Sequence, residues 1–128
     1  AGAVGSLAPD AFRAALPGLN AVAVWNKSAP RRDALVARLR AEGWDAAPAP
    51  DLQAAVAAAD VITCATLSTA PILKGAWLRP GQHVDLIGAF TPLMREVDDE
   101  ALIRANVFVD TEAALTEAGE IVQGLASG

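Results

Sequence analysis

The sequence predicts an α/β fold built around a doubly wound parallel sheet. Short apolar stretches that are typical of strands alternate with amphipathic stretches that are typical of helices. This alternation favours parallel strands joined by crossover helices. The strand stretches are almost wholly apolar, as expected where helices cover both faces of a sheet. At 128 residues and 53% apolar residues, the chain is long enough for one domain with its own core, residues 1–128.

Turn and capping residues set the limits of the elements in the first half. Pro17-Gly18 ends the first helix. Ser28 can cap the next helix, with Pro30 in the first turn, where a missing N–H costs nothing. Gly43 ends that helix. The predicted elements here are helix 7–16, strand 21–25, helix 28–42 and strand 44–47.

The same kinds of signal continue through the second half. Asp51 can cap a helix, Leu78 to Gly81 is predicted to be a turn, and Gly88 breaks a strand. Gly119 is expected to end the final helix. The predicted elements here are helix 51–58, strand 61–65, strand 83–87, helix 98–105, strand 107–109 and helix 112–118.

The chain opens on a glycine-containing stretch, Ala1 to Gly5, that we interpret as the tail of a G-x-G-x-x-G loop. Gly2 would let the backbone approach a pyrophosphate, and Gly5 would let a helix pack close to a strand. In a Rossmann-type sheet the strand before this loop lies at the centre, so we expect that first strand to be missing and the chain to be part of a longer protein. An incidental Gly/Ala start is the alternative.

The end of strand 21–25 carries a neutral and basic sequence, Asn26-Lys27-Ser28, followed by Arg31 and Arg32. An NAD site of this type usually has Asp or Glu here to bind the ribose hydroxyls. Cations and hydroxyls suit a 2′-phosphate instead. The sequence therefore favours NADP over NAD. A capped helix with a solvated basic first turn is the alternative.

Composition limits the classes of partner. The net charge of −5 and pI of about 4.7 argue against a nucleic-acid partner. No apolar run is long enough to span a membrane, and no signal peptide is recognisable. The single cysteine rules out an internal disulfide, and we expect a cytoplasmic location. Asp98-Asp99-Glu100 is interpreted as the acidic first turn of a helix, so no metal site is predicted.

The segment Cys64 to Ser68 follows a predicted strand, where open α/β sheets bind their ligands. Its backbone and hydroxyl groups are expected to line the cofactor. Cys64 is better explained as a packing residue than as a nucleophile. His83, at the start of a predicted strand and far from the expected ligand edge, is interpreted as structural.

Three stretches resemble the ornithine cyclodeaminase/μ-crystallin family: VWNKSAPRR, ADVITCATLSTAPILKGAWLRPGQHVDLIGAFTPLMREVDDE and ANVFVDTEAALTEAGEI. They keep their order and cover most of the chain. Proteins of this family are longer, and their nucleotide-binding domain is set within a substrate and dimerisation domain. The resemblance therefore implies a homodimer formed through a domain outside this segment. It implies cofactor contacts at Gly2, Ala3, Val4, Asn26, Lys27, Ser28, Arg31, Cys64, Ala65, Thr66, Leu67, Ile87 and Gly88.

One position departs from the ornithine cyclodeaminases proper. Those enzymes carry a catalytic Asp after a Gly-Gly pair, where this sequence reads Gly88-Ala89-Phe90. A phenyl ring cannot act as a general base. The resemblance thus favours the branch that reduces cyclic imines such as Δ1-pyrroline-2-carboxylate, with Phe90 and Thr91 shaping the substrate pocket. The sequence identifies no catalytic acid.

Two other functions within this resemblance stay open. An NAD-dependent cyclodeaminase would convert ornithine to proline and ammonia, and would be helped by an Asp at position 90. A μ-crystallin-like protein would hold a nucleotide and a small ligand with little turnover. For an enzyme, the expected substrate is a cyclic imine or an amino acid. A methyltransferase is a poorer fit, because its ribose contact normally requires an acidic residue where Asn26 lies.

Overall fold

The computed structural model describes residues 2–128 and divides into two compact units. The first unit extends to Ala55, and the second runs from Val56 to Gly128. The strands are β1 (Ala21–Val24), β2 (Asp45–Pro48), β3 (Val61–Cys64) and β4 (His83–Leu86). The α-helices are α1 (Ala3–Ala15), α2 (Ala29–Ala41), α3 (Leu52–Ala58), α4 (Asp99–Arg104), α5 (Ala114–Glu117) and α6 (Gly119–Ser127), and a 3₁₀-helix spans Gly75–Trp77.

The first unit is built on a parallel pair of strands covered by α2. β1 and β2 pair in register from Ala21 opposite Asp45 to Val24 opposite Pro48. Parallel strands need a crossover connection, and α2 supplies it. Its apolar face packs on the strands, and Leu39 is fully buried. The core cluster comprises Val24, Leu35, Val36, Leu39, Trp44 and Ala46.

Polar and cation–π contacts hold α1 in the first unit. The Arg13 guanidinium lies 3.4 Å from the centre of the Trp44 ring. The indole N–H of Trp44 donates a hydrogen bond to Asp10 at 3.4 Å. Arg38 of α2 donates to the carbonyl of Ser6. No residue of α1 is fully buried.

The second unit is built on β3 and β4, which also pair in parallel. Their register runs from Val61 opposite His83 to Cys64 opposite Leu86. α4 packs against the 3₁₀-helix at a close approach, because a Cβ on Gly75 would lie 2.3 Å from the backbone nitrogen of Ala101. Helices α5 and α6 pack together, and α6 also contacts α4.

The turn before β4 is stabilised by bonds to the end of α3. Gly81 has a φ of +87°, which favours glycine. Gln82 donates through Nε2 to the carbonyls of Val56 and Ala59, at 2.7 and 2.6 Å. Arg79 donates to the carbonyl of Ala57 at 2.9 Å. These bonds use helix-end carbonyls that would otherwise lack partners.

The predicted α/β class and its parallel strands are confirmed, as are four of the predicted strands. The described strands form two separate two-stranded sheets. Among the described helices, none has the length and apolar character that a membrane span requires.

Three predictions about single elements were wrong. Residues 107–109 form no strand, since no described strand pairs with them. Phe108 is 90% exposed. Gly119 begins α6 instead of ending a helix. Its glycine identity follows from packing, since a Cβ there would lie 1.7 Å from the carbonyl oxygen of Met94. The first helix begins at Ala3, four residues before the predicted Leu7.

Replacing Leu39 with alanine should lower the free energy of unfolding by about 2–5 kcal/mol, because a fully buried side chain leaves a cavity. Urea unfolding followed by tryptophan fluorescence measures the loss. Leu7→Ala is the matched control, since Leu7 is 62% exposed and its loss should cost less than about 0.5 kcal/mol. Equal losses in the two variants would contradict the assigned core.

Candidate functional site

The loop after β1 is organised by Asn26. Its side-chain oxygen accepts the backbone N–H of Ser28 at 2.8 Å. This local turn leads directly into α2, whose first helical bond runs from the N–H of Arg32 to the carbonyl of Ser28 at 3.0 Å. Ser28 occupies the predicted cap position, but its hydroxyl makes no cap hydrogen bond. The hydroxyl is therefore not committed to the helix.

The N-terminal end of α2 carries two cations, Lys27 just before the N-cap Ser28 and Arg31 in the first turn, that no described acidic residue neutralises. Lys27 and Arg31 are exposed, and neither takes part in an ion pair among residues 2–128. Arg32, in contrast, pairs with Asp33 at 2.8 Å. The first turn contains no acidic residue. Since a helix N-terminus carries partial positive charge, this end of α2 is suited to an anion.

The N-terminus of α1 is also suited to an anion. Gly2 is its N-cap, with an extended backbone and no side-chain cap, and Ala3 and Val4 open the helix. All three residues are exposed, and the first turn has no acidic residue. Among the described residues, and apart from Gly2 and its chain neighbours, no atom lies within 4 Å of where a Cβ on Gly2 would be, so a ligand could approach the backbone here. Ala1, the first residue of the interpreted glycine loop, lies outside the described residues.

In the second unit, the loops after β3 and β4 meet. The N–H of Ile87, the residue that follows β4, donates to the carbonyl of Cys64, the last residue of β3, at 2.9 Å. A Cβ on Gly88 would lie only 2.0 Å from the carbonyl oxygen of Thr66. Only glycine permits this approach. The structure therefore brings together the predicted residues Cys64, Ala65, Thr66, Leu67, Ile87 and Gly88.

Sequence reasoning missed Glu96, which holds these two loops. Its side chain is fully buried, and its two carboxylate oxygens accept the N–H of Thr66 and, at 2.9 Å, the N–H of Gly88. In the sequence, Glu96 is only an acidic residue beside Val97, in a stretch where no helix or strand is predicted, and this is a weak indication of a buried carboxylate. The contacts span 30 and 8 residues of sequence, so no local pattern indicates them.

A second buried carboxyl group lies beside Glu96. Glu120 accepts the backbone N–H of Glu96 at 2.5 Å and is itself buried. Burial is the main cause that raises the pKa of Glu120, and the charge of Glu96 adds to it. The backbone hydrogen bonds and the charge of Arg95 oppose this rise in the pKa.

Cys64 is buried at the end of β3. Burial, followed by the charges of Glu96, Glu120 and Asp85, raises the pKa of the Cys64 thiol to about 12. The thiol is therefore protonated at neutral pH and is a poor nucleophile. This agrees with its interpretation as a packing residue.

Phe90 and Thr91 follow the loop after β4. Phe90 is 64% exposed, and its N–H donates to the carbonyl of Gly88 at 3.1 Å. Thr91 is half-buried. His83 lies at the opposite end of β4 from this loop. Among residues 2–128, no group of three His, Cys, Asp or Glu side chains is placed to hold a metal ion.

Known proteins match this chain over nearly its whole length. The sequence model of the ornithine cyclodeaminase/mu-crystallin family matches residues 1–127. A Δ(1)-pyrroline-2-carboxylate reductase of Paracoccus denitrificans is 43% identical over 129 residues, covering 100% of this chain and 41% of that protein. The chain spans about two-fifths of the length of the curated relatives it matches.

Solved structures give the same picture. The probable ornithine cyclodeaminase from Bordetella pertussis is 37% identical with a TM-score of 0.71, and the match covers 82% of this chain and 34% of that one. The iminosuccinate reductase of Paracoccus denitrificans, solved with NAD⁺, is 29% identical with a TM-score of 0.76, covering 85% and 34%. The fold of this chain is thus that of Rossmann-type dehydrogenases.

Replacing Glu120 with glutamine should stabilise the protein increasingly as the pH rises. A carboxyl group whose pKa is raised on folding stabilises the fold at pH values below its unfolded pKa of about 4.5, and this stabilisation is lost as the pH rises through the folded pKa. The amide keeps an acceptor for the N–H of Glu96 and carries no charge. Urea unfolding of both proteins between pH 4 and 7 measures the difference.

The exposed residue Glu112 gives the control. Glu112→Gln should change stability by a small amount that hardly varies over the same pH range. A difference between Glu120→Gln and wild type that is constant with pH would contradict the raised pKa.

Proposed function

The chain belongs to the ornithine cyclodeaminase/mu-crystallin family, and from this premise we propose that it is the cofactor-binding part of an NAD(P)H-dependent reductase of cyclic imines. The substrate class is that of Δ1-pyrroline-2-carboxylate. The 43% identity to a reductase of that compound supports the proposal. We further propose that substrate binding and homodimer formation involve a domain outside this segment, and that the protein is cytoplasmic.

The identity of residue 90 is the reason for proposing imine reduction and not cyclodeamination. The ornithine cyclodeaminases proper place a catalytic Asp where this chain has Phe90. The phenyl ring follows the loop after β4 and is largely exposed. It cannot accept a proton, whereas it can pack against an apolar ring. Phe90, with Thr91, is therefore assigned to the substrate pocket.

The first unit is proposed to hold the adenosine and pyrophosphate groups of the cofactor. Gly2, Ala3 and Val4 present a helix N-terminus without side chains that would obstruct an anion. Lys27 and Arg31 are cations without an acidic partner among the described residues, which supports a 2′-phosphate and so NADP over NAD. Asn26 and Ser28 add an amide and a hydroxyl to the same loop.

The second unit is proposed to contact the nicotinamide end. Glu96 accepts the backbone N–H groups of Thr66 and Gly88, and the carbonyl of Cys64 accepts the N–H of Ile87. Ala65 lies in the same loop, and Leu67 and Ile87 expose apolar side chains there. The bound cofactor supplies a hydride to the imine carbon. The role of these residues is to hold and orient the ring in surroundings of low polarity. We assign no catalytic acid among them.

A paired titration of the full-length protein with NADPH and NADH, followed by nicotinamide fluorescence, tests the cofactor assignment. Preference for NADPH supports it. Steady-state turnover with a panel of cyclic imines and with ornithine then tests the reaction. Ornithine turnover would favour cyclodeamination, and tight binding without turnover would favour a ligand-binding protein.

The double variant Lys27→Ala/Arg31→Ala should weaken NADPH binding and hardly change NADH binding. Each lost charge-assisted bond to the 2′-phosphate is worth about 1.5–3 kcal/mol. The same titration measures both dissociation constants. Arg32→Ala is the control, because Arg32 is already paired with Asp33. Equal weakening of both nucleotides would remove the 2′-phosphate assignment.

Replacing Phe90 with alanine should lower kcat/KM for the cyclic imine about tenfold, which corresponds to about 1.4 kcal/mol of lost apolar contact in the transition state. The dissociation constant of the cofactor should stay within a factor of about two. Phe108→Ala is the control, since Phe108 is exposed and outside the proposed pocket. An unchanged kcat/KM in Phe90→Ala would separate this residue from the substrate.

A further inference from the structure

The carboxylate of Glu96 joins two loops that are far apart in sequence. One oxygen, Oε1, accepts the N–H of Thr66 in the loop after β3. The other, Oε2, accepts the N–H of Gly88 in the loop after β4 at 2.9 Å. Each loop thus gives one backbone donor to a different oxygen of the same side chain.

This arrangement cannot be explained by apolar packing. Burying a carboxylate is costly unless hydrogen bonds replace its hydration, and the side chain of Glu96 is fully buried. Two backbone N–H groups supply charge-assisted bonds, one to each oxygen. A Cβ on Gly88 would lie 2.6 Å from Oε1, so the absence of a side chain there is what admits the carboxylate.

The backbone of Glu96 is itself fixed from several directions. Its carbonyl accepts the N–H groups of Ile72 and Leu73 at 2.9 and 3.0 Å. Its own N–H donates to Glu120 at 2.5 Å. The next residue, Val97, forms a parallel bridge with Leu73. The carboxylate is therefore presented from a rigid base to two loops that, beyond the strands, share the bond between Ile87 and Cys64.

We propose that Glu96 is a positioning residue for imine reduction, which sets the separation and orientation of the Thr66 and Gly88 loops. It acts through those loops and does not contact a reactant. This inference rests on the proposed function, in which the two loops face the nicotinamide end of the cofactor. A purely structural residue would affect stability alone, whereas a positioning residue also affects kcat.

The first test uses the wild-type, full-length protein without nucleotide. Hydrogen–deuterium exchange should show protection in peptides that contain Thr66 and Gly88, because Glu96 already accepts both amides. Rapid exchange of both amides in folded protein would overturn the inference. This measurement needs no variant and no activity, so it holds even if a substitution at position 96 prevents folding.

The second test compares Glu96→Gln with Glu120→Gln. Glutamine offers one acceptor oxygen and an NH₂ group, so at position 96 one of the two loop amides loses its acceptor. Exchange at Thr66 or Gly88 should then rise at least about tenfold. At position 120 the amide oxygen can still accept the N–H of Glu96, so the loops should stay protected. Both variants remove one carboxyl group from the same buried cluster.

Kinetics of the same variants complete the test. Glu96→Gln should lower kcat for the cyclic imine between about tenfold and a hundredfold, because a small misplacement of the reacting groups is costly. Its dissociation constant for NADPH should change less than about threefold. Glu120→Gln should keep the wild-type kcat. A wild-type kcat in Glu96→Gln, or equal losses in both variants, would overturn the inference.

The two proposals fail in different ways. Failure of the wild-type protein to bind either nicotinamide nucleotide would overturn the proposed function, whereas exchange in the nucleotide-free protein would still decide whether Glu96 holds the loops. Normal binding and turnover together with a silent Glu96→Gln substitution would leave the proposed function in place and remove the positioning role.

Discussion

Parallel pairing of neighbouring strands is the constraint on which both units depend. Two parallel strands cannot be joined by a tight turn, so the chain must return along a crossover connection. In the first unit α2 makes that return and buries Leu39 against the strands. Parallel pairing also brings the carboxyl ends of both strands to one edge. The loops that follow β3 and β4 therefore meet in space, although more than 20 residues separate them in sequence.

Where two loops meet, backbone N–H groups need acceptors that the strands no longer supply. The second unit meets this need with a charged side chain, Glu96, and the consequences extend to its neighbours. The buried charge opposes ionisation of Glu120 and of the Cys64 thiol, and both pKa values are raised, chiefly by burial. Glycine at position 88 completes the arrangement by leaving space for the carboxylate. The buried side chain of Glu96 thus holds the two loops together, raises the pKa values of Glu120 and Cys64 further, and requires glycine at position 88.

Local signals predicted much of this fold, and contacts distant in sequence account for what they missed. Asp51 caps α3 as expected, with the N–H of Ala54 bonded to its carboxylate at 3.1 Å, because capping involves residues three apart. Gly119 was misread because its close approach to the carbonyl of Met94 leaves no mark in the neighbouring sequence. Glu96 was missed for the same reason. The alternation of strands and helices, together with the family resemblance, predicted which residues bind the cofactor, and that assignment is a proposal.

The first turn of α2 shows how a locally unfavourable sequence can be informative. Cations near a helix N-terminus oppose the helix dipole, at a cost of about 0.3–1 kcal/mol for each charge. A stabilising sequence would place Asp or Glu there, as α4 does with Asp99 and Glu100. No described carboxylate pairs with Arg31 of this turn or with Lys27, which precedes the N-cap of α2. Local stability therefore does not explain these residues. A bound phosphate would remove the cost and gain charge-assisted bonds, so the same residues that weaken the helix would select the ligand.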